Sequence, residues 1–433
     1  MTESLTESNQ ENQASESNES HQPQHHDDPE KGIAAWLGVL GAFLVYTASW
    51  GFLSTYGSYQ KYYETTFLKD VSPSAIAWIG TLEGVILIMG GAVTGPIYDR
   101  GYIRELLISG TFFTVFGIMM LSLAETFYQV LLAQGICVGI GGALLYVPSI
   151  SMIATTFTKR RTLAVFLTSS GNAVGGIVYP VMFVSLQPKI GFAWTTRVLG
   201  FLTLGVLVAA ILLMRSLGQA KMPQEPRTLV DMTAFRDPVF MVYCVALFFM
   251  WIAYWVPFFL LPTFAQFKAG ASSDLAFYVL VICNASTIIG RYMAVPLTKQ
   301  VSSAAGMGFL SLVTSILLFA WTGVRSIAGT IVWSVFIAIF MAPLSVVYPV
   351  LIHELTPDKR LVGNRMGISS FAAALGTLIG FPVTAALNDI EAGIFWKSQV
   401  FNGVCILLGA LLMVYVYIKT RQPKEEKTAQ AAV

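Results

Sequence analysis

Twelve stretches of mainly apolar residues follow one another along this chain. They fall at 33–55, 75–97, 104–123, 127–150, 162–186 and 196–216, then at 238–262, 275–297, 303–321, 327–351, 364–387 and 396–418. About 20 such residues, wound as a helix, cross the hydrocarbon of a bilayer. Lipid offers no partner for backbone N–H and C=O groups, so each run is predicted as a membrane-spanning helix that satisfies them internally. Most breaks are short and carry charge or turn residues, as at Asp99-Arg100-Gly101 and Lys159-Arg160-Arg161. One is longer: residues 217–237 contain Lys221, Pro223, Glu225, Pro226 and Arg227. That linker divides the spans into two sets of six, 33–216 and 238–418. The polar ends, 1–32 and 419–433, hold too few apolar side chains to offset the entropy of ordering and are expected to be disordered.

Composition agrees with the pattern. Of 433 residues, 55% are hydrophobic and 12% charged, against roughly a quarter charged in soluble domains. Much of the exterior therefore faces lipid. A net charge of +2 gives no field for a nucleic-acid partner. Cys137, Cys244, Cys283 and Cys405 lie in separate apolar runs without ligand spacing, so neither disulfides nor a zinc site are expected. No Walker loop is present to spend ATP, and no HExxH helix for an intramembrane metalloenzyme. The reading needs no cofactor. Lys and Arg orient the spans: of 26 in all, 18 fall in segments on the side of the termini. Seven fall on the other, including Lys61 and Lys69, and Arg291 lies within a span. The expected topology is a multi-pass protein of the cell membrane (or the vacuolar membrane) with both termini in the cytosol.

The halves overlay with an offset near 200. Pro96 at the end of span two meets Pro296 at the end of span eight, and Gly171 and Gly175 of span five meet Gly376 and Gly380 of span eleven. Two parallel six-span repeats with a binding site at their interface form a transporter architecture.

Several motifs carry a family resemblance. GPIYDRGYIR at 95–104 follows span two; FTKRRTLA at 157–164 is followed by Ser170-Gly171 and Gly175-Gly176; YGSYQKYYE at 56–64 precedes Trp78-Ile79-Gly80; Gly290-Arg291 lies in span eight. Over residues 33–418 the chain resembles the major facilitator superfamily, and within it the monocarboxylate porters, especially fungal members. The resemblance implies an all-α fold of about twelve spans in two pseudo-symmetric halves, and gating by Asp99, Arg100 and Arg104 between spans two and three. Three positions depart from the porter pattern. Tyr56 stands near the place of a lysine in span one, Thr287 in place of an aspartate four residues before Arg291, and Phe166 in place of a small residue. These departures shift the expected cargo from simple monocarboxylates toward broader acidic or aromatic metabolites.

Within the spans, a few polar residues carry the candidate chemistry. Arg291 is a guanidinium at membrane depth, which is normally paired or turned to a wet cavity. Asn284, Thr287 and Arg291 share one face of span eight, where the forked donors suit a carboxylate. A structural arginine bonding neighbouring carbonyls is the competing reading. Asn172, Tyr56 and Trp251 are further substrate candidates, with Gln134, Tyr146 and Tyr348 behind them. Glu83 in span two is the candidate proton carrier, since a carboxyl at that depth can take up and release a proton. The function expected is secondary active transport of a small organic solute by alternating access, coupled to protons. A non-transporting nutrient sensor is the alternative.

Overall fold

A computed structural model describes residues 32–157, 160–215, 232–356, 361–390 and 392–431. The tail expected at 1–32 falls outside them except for Gly32, as do residues 217–231 of the linker expected at 217–237 and Lys159; the end of that linker, Met232–Arg236, forms a short 3-10 turn. The helices are α1 (Ile33–Phe67), α2 (Pro73–Met89 continued by Gly91–Asp99), α3 (Ile103–Leu121), α4 (Phe127–Thr156), α5 (161–190) and α6 (192–214). The second half contains α7 (Pro238–Phe267), α8 (Ser273–Gln300), α9 (Ser303–Trp321), α10 (Ile327–Leu355), α11 (Val362–Leu387) and α12 (Trp396–Ala431). Among the described residues, ten apolar stretches are long enough to span a bilayer. One of them folds back at Gly191, whose φ of 75° breaks it into α5 and α6, and α2 supplies the twelfth span from two shorter segments.

Below, the near face is the one at which α1 begins; the far face lies opposite. Side chains cap the helices that start at the far face in both halves alike. Ser72 and Ser272 accept from the N–H three residues on in α2 and α8, and Thr126 and Ser326 do so in α4 and α10. Each pair stands 200 positions apart, and each cap satisfies a donor the helix cannot. Close helix contacts repeat as well. Gly171 and Gly175 of α5 sit against the carbonyls of Phe43 and Thr47 in α1; Gly376 and Gly380 of α11 sit against those of Phe248 and Ile252 in α7. All four pairs are related by 205 positions (376 less 171, 248 less 43). The offset read from the sequence is thus a repeated α1–α5 and α7–α11 contact that only glycine permits.

Two expectations are corrected. The first span was expected to end near 55, leaving Lys61 in an outer loop. The helix instead continues to Phe67, with Lys61 only 3% exposed. It stays ordered because its polar residues find partners: Ser49 and Thr55 bond back to Val45 O and Gly51 O, and Lys61 bonds α8. The polar tail expected to be disordered from 419 is helical as far as Ala431, beyond the apolar stretch Trp396–Arg421.

At the near face Asp237 caps α7, accepting from Val239 and Phe240 N–H, and pairs with Arg365 of α11 at 2.8 Å. Arg365 also donates to Leu355 O, and its guanidinium lies 4.8 Å from the Phe240 ring. Asp237 is 29% exposed and Arg365 7%, so the pair is partly screened. Arg365→Ala is expected to cost about 1–3 kcal/mol of stability by orphaning the cap and carbonyl. A thermal midpoint in detergent equal to that of the unsubstituted chain counts against this role.

Candidate functional site

Arg291 lies in the near-face half of α8, 5% exposed. Its Nη1 donates to Ser169 O of α5 at 2.9 Å, so the guanidinium bridges the two halves. Asn172, one turn further along α5, completes the contact. With its amide oriented to satisfy every neighbour, its oxygen accepts from Arg291 Nη2 at 2.6 Å while its nitrogen donates to Trp50 O (3.0 Å) and Ser54 Oγ (2.8 Å). The Tyr254 hydroxyl lies against the same guanidinium, with Tyr46 close by. Among the described residues no carboxylate pairs with Arg291. A buried cation held only by neutral oxygens lacks the countercharge that normally offsets its desolvation.

Around this cation the two halves contribute matching aromatic walls. Trp50 of α1 and Trp255 of α7, 205 positions apart, stack across the junction with centroids 5.5 Å apart and planes 11° from parallel. One turn toward the near face, Tyr46 meets Tyr146 of α4 at 5.5 Å, and its counterpart Trp251 meets Tyr348 of α10 at 5.5 Å. Tyr146 also stands edge-on to Trp50, and Tyr254 stacks on Trp251. Both indole N–H groups of the Trp50–Trp255 pair are buried without a partner. The walls are symmetric; the charge is not. The position 200 before Arg291 is Gly91, and the position 205 after Asn172 is Thr377.

From the Trp50–Trp255 pair to the far face the junction is sealed. Tyr56 is fully buried, donates to Ile76 O at 2.6 Å and packs edge-on against the Phe259 and Phe381 rings. Gly57 abuts the Phe258 and Phe259 carbonyls, and Ser74 Oγ donates to Pro382 O. On the near side Tyr146, Tyr348, Met366 and Ser370 are only half-buried.

The structure therefore gathers some sequence candidates and separates others. Arg291, Asn172 and Trp251 come together, with Tyr146 and Tyr348 beside them. Tyr56 belongs to the far-face seal. Asn284 ties α8 to α5 by donating to Gly176 O (3.0 Å), and Thr287 bonds back to Asn284 O (2.7 Å); both groups are occupied in helix packing. Glu83, 1% exposed, lies inside the first half, beside Gln134 and against Gly139 of α4. One of its oxygens has no partner. Gln134 accepts from Tyr63 at 2.7 Å within a π-helical segment, Leu131–Val138, an irregularity frequent at functional sites. Arg100 and Arg104 are exposed at the near face. Asp99 ends α2 there, and its side chain lies outside the described ones. Sequence reasoning passed over Trp50, Ser54, Tyr46 and Tyr254; the polar register of Trp50 and Ser54 on α1 was the only available signal.

Known proteins place this architecture. The family model described as the Major Facilitator Superfamily matches residues 36–338. The MFS-type transporter dbaD of Emericella nidulans is 35% identical over 88% of this chain and 86% of its own length. From the same organism, the aspyridones efflux protein apdF is 32% identical over 90% and 79%. The fujikurins efflux protein of Gibberella fujikuroi is 33% identical over 90% and 84%. Among solved structures, a mutant peptide transporter POT in complex with alafosfalin superposes with a TM-score of 0.71 over 91% of this chain and 97% of that one. At 15% identity it attests the fold alone. With twelve spans, doubled halves and a buried arginine at the junction between them, this chain is a member of the major facilitator superfamily of membrane transporters.

Proposed function

We propose that the protein is a secondary active exporter of a small acidic, aromatic organic metabolite. The reading rests on one observation: Arg291 is a buried cation to which no described carboxylate is paired, set between two aromatic walls. A flat anion supplies the missing countercharge through paired hydrogen bonds and stacks on the rings. The unpartnered Trp50 and Trp255 N–H groups offer donors to its oxygens. The cleft is sealed toward the far face and less buried toward the near face. With both termini in the cytosol of a plasma-membrane protein, that geometry is the cargo-loading state of an exporter. The efflux names of two relatives support the direction, and the porter-like motifs support the monocarboxylate branch. Rocking one half against the other then carries the cleft across the bilayer.

Proton coupling is assigned to Glu83. Its unpaired oxygen beside Gln134 accommodates a proton, and its helix α2 lies on the junction, where Gly84 faces Thr377 of α11. The test is a panel of labelled aromatic and aliphatic carboxylates in liposomes containing the full chain, with and without a pH gradient. Saturable flux of aromatic acids, raised by the gradient, is expected. Glu83→Gln is expected to keep cargo binding and to lose at least about tenfold of the gradient's stimulation. Gradient stimulation equal to wild type in that variant removes Glu83 from the coupling. Flux indistinguishable from that of empty liposomes across the panel overturns the whole reading.

A further inference from the structure

A buried polar stripe on α1 continues from the cleft to the far face. Ser54 touches Asn172; Ser58 follows four residues on, and Lys61 three beyond that, all within 3% exposure. Ser58 Oγ has no partner. Lys61 Nζ donates to Ser273 Oγ at 3.0 Å and reaches Ser273 O at 3.3 Å, at the start of α8 in the other half, and lies 4.3 Å from the Phe277 ring centroid. Asp274 is the acidic group near it.

Glu64, three residues after Lys61, crosses to α7. Its Oε2 accepts from Thr263 Oγ1 at 3.3 Å, and its Oε1 accepts from Gln60 Nε2. Tyr56 is the other titratable group close to it. No described cation pairs with Glu64. The oxygen of the same Gln60 amide is buried with no donor. A buried orphan acceptor beside a carboxyl is costly. A proton on Glu64 offers that oxygen a donor in exchange for the Nε2 contact: once the amide turns, the carboxyl O–H donates to Gln60 Oε1.

We propose that Glu64 is a proton-binding site that locks the far face. Protonated, it is neutral and holds α1 against α7 while Lys61 pins α1 to α8. Once the proton has passed to water at the far face, the carboxylate has no cation at the junction and is better solvated outside it. The closed seam therefore carries one more proton than the open one, so rising external pH shifts the population toward opening. The lock presupposes a moving junction but no particular cargo.

The experiment uses the full chain in liposomes and needs no ligand. Ser58→Cys, behind the lock, is labelled from the far face by a membrane-impermeant maleimide. Its rate is divided by that of Thr66→Cys, an exposed position on the same helix, which cancels the reagent's own pH dependence; the chain without either substitution gives the background. From about pH 5 to about pH 8 the ratio is expected to rise at least about tenfold, and by no more than about tenfold per pH unit, the limit for one proton released on opening. With Glu64→Gln the ratio stays low and flat, and Glu64→Asp keeps the rise with a displaced midpoint. A flat ratio with Glu64 intact, a rise that survives Glu64→Gln, or an unmoved midpoint with Glu64→Asp overturns the proposal.

Discussion

Arg291→Ala is expected to remove saturable transport of an anionic cargo, lowering its flux by at least about 100-fold while the protein remains folded. Truncating one partner of a buried, hydrogen-bonded charge pair typically costs 2–5 kcal/mol, and about 1.4 kcal/mol corresponds to a factor of ten. The loss is double. The cargo loses its countercharge, and Ser169 O and the Asn172 oxygen lose the donor that joins the halves. Arg291→Lys separates the two effects. An ammonium keeps the charge but cannot present two parallel N–H groups, so a loss of roughly tenfold is expected. Equal flux in wild type and Arg291→Ala returns the residue to the competing reading, an arginine that only bonds carbonyls.

The largest structural effect is expected at Gly380. A β-carbon there meets the Ile252 carbonyl of α7, a backbone atom that cannot yield without separating the helices. Overpacking of this kind usually costs 1–3 kcal/mol and occasionally more. Gly380→Val carries two further methyls into the same contact and is expected to abolish recovery of monodisperse protein. Gly175→Val at the equivalent α5–α1 contact should behave alike. Gly367 of α11 is the control: nothing lies within 4 Å of a β-carbon there. Gly367→Ala is therefore expected to be neutral or to stabilise by about 0.5–1 kcal/mol. Size-exclusion profiles and thermal midpoints of the three variants decide the matter. Matching profiles for Gly380→Val and Gly367→Ala contradict the packing role.

These residues show which features are legible in a sequence of this kind. The spans are, because lipid imposes a minimum apolar length. The offset is, because a glycine facing a backbone carbonyl leaves no alternative residue and so recurs in both halves. Arg291 is conspicuous because a guanidinium at membrane depth always requires an explanation. Partners are less legible. Asn284 and Thr287 share the Arg291 face of α8, yet the α5 backbone passes close enough at Gly176 to take up the Asn284 amide. Lys61 and Glu64 lie in YGSYQKYYE, whose polarity reads as a loop. They are helical, Lys61 buried and Glu64 half-buried, because α7 and α8 supply bonds that only tertiary structure reveals. Tyr56 is conspicuous because it stands near the place of the porter lysine, but the α2, α7 and α11 groups it meets are visible only in the structure.

The most direct test of an anion-carrying, alternating cleft is exchange across the bilayer. Liposomes containing the full chain are loaded with an unlabelled aromatic carboxylate taken from those that show flux, and the labelled acid is added outside. A carrier that presents one cleft to one side at a time returns loaded faster than empty, so internal acid is predicted to accelerate labelled entry several-fold, and Arg291→Ala to abolish the acceleration. Entry that is linear in concentration and indifferent to internal acid contradicts it.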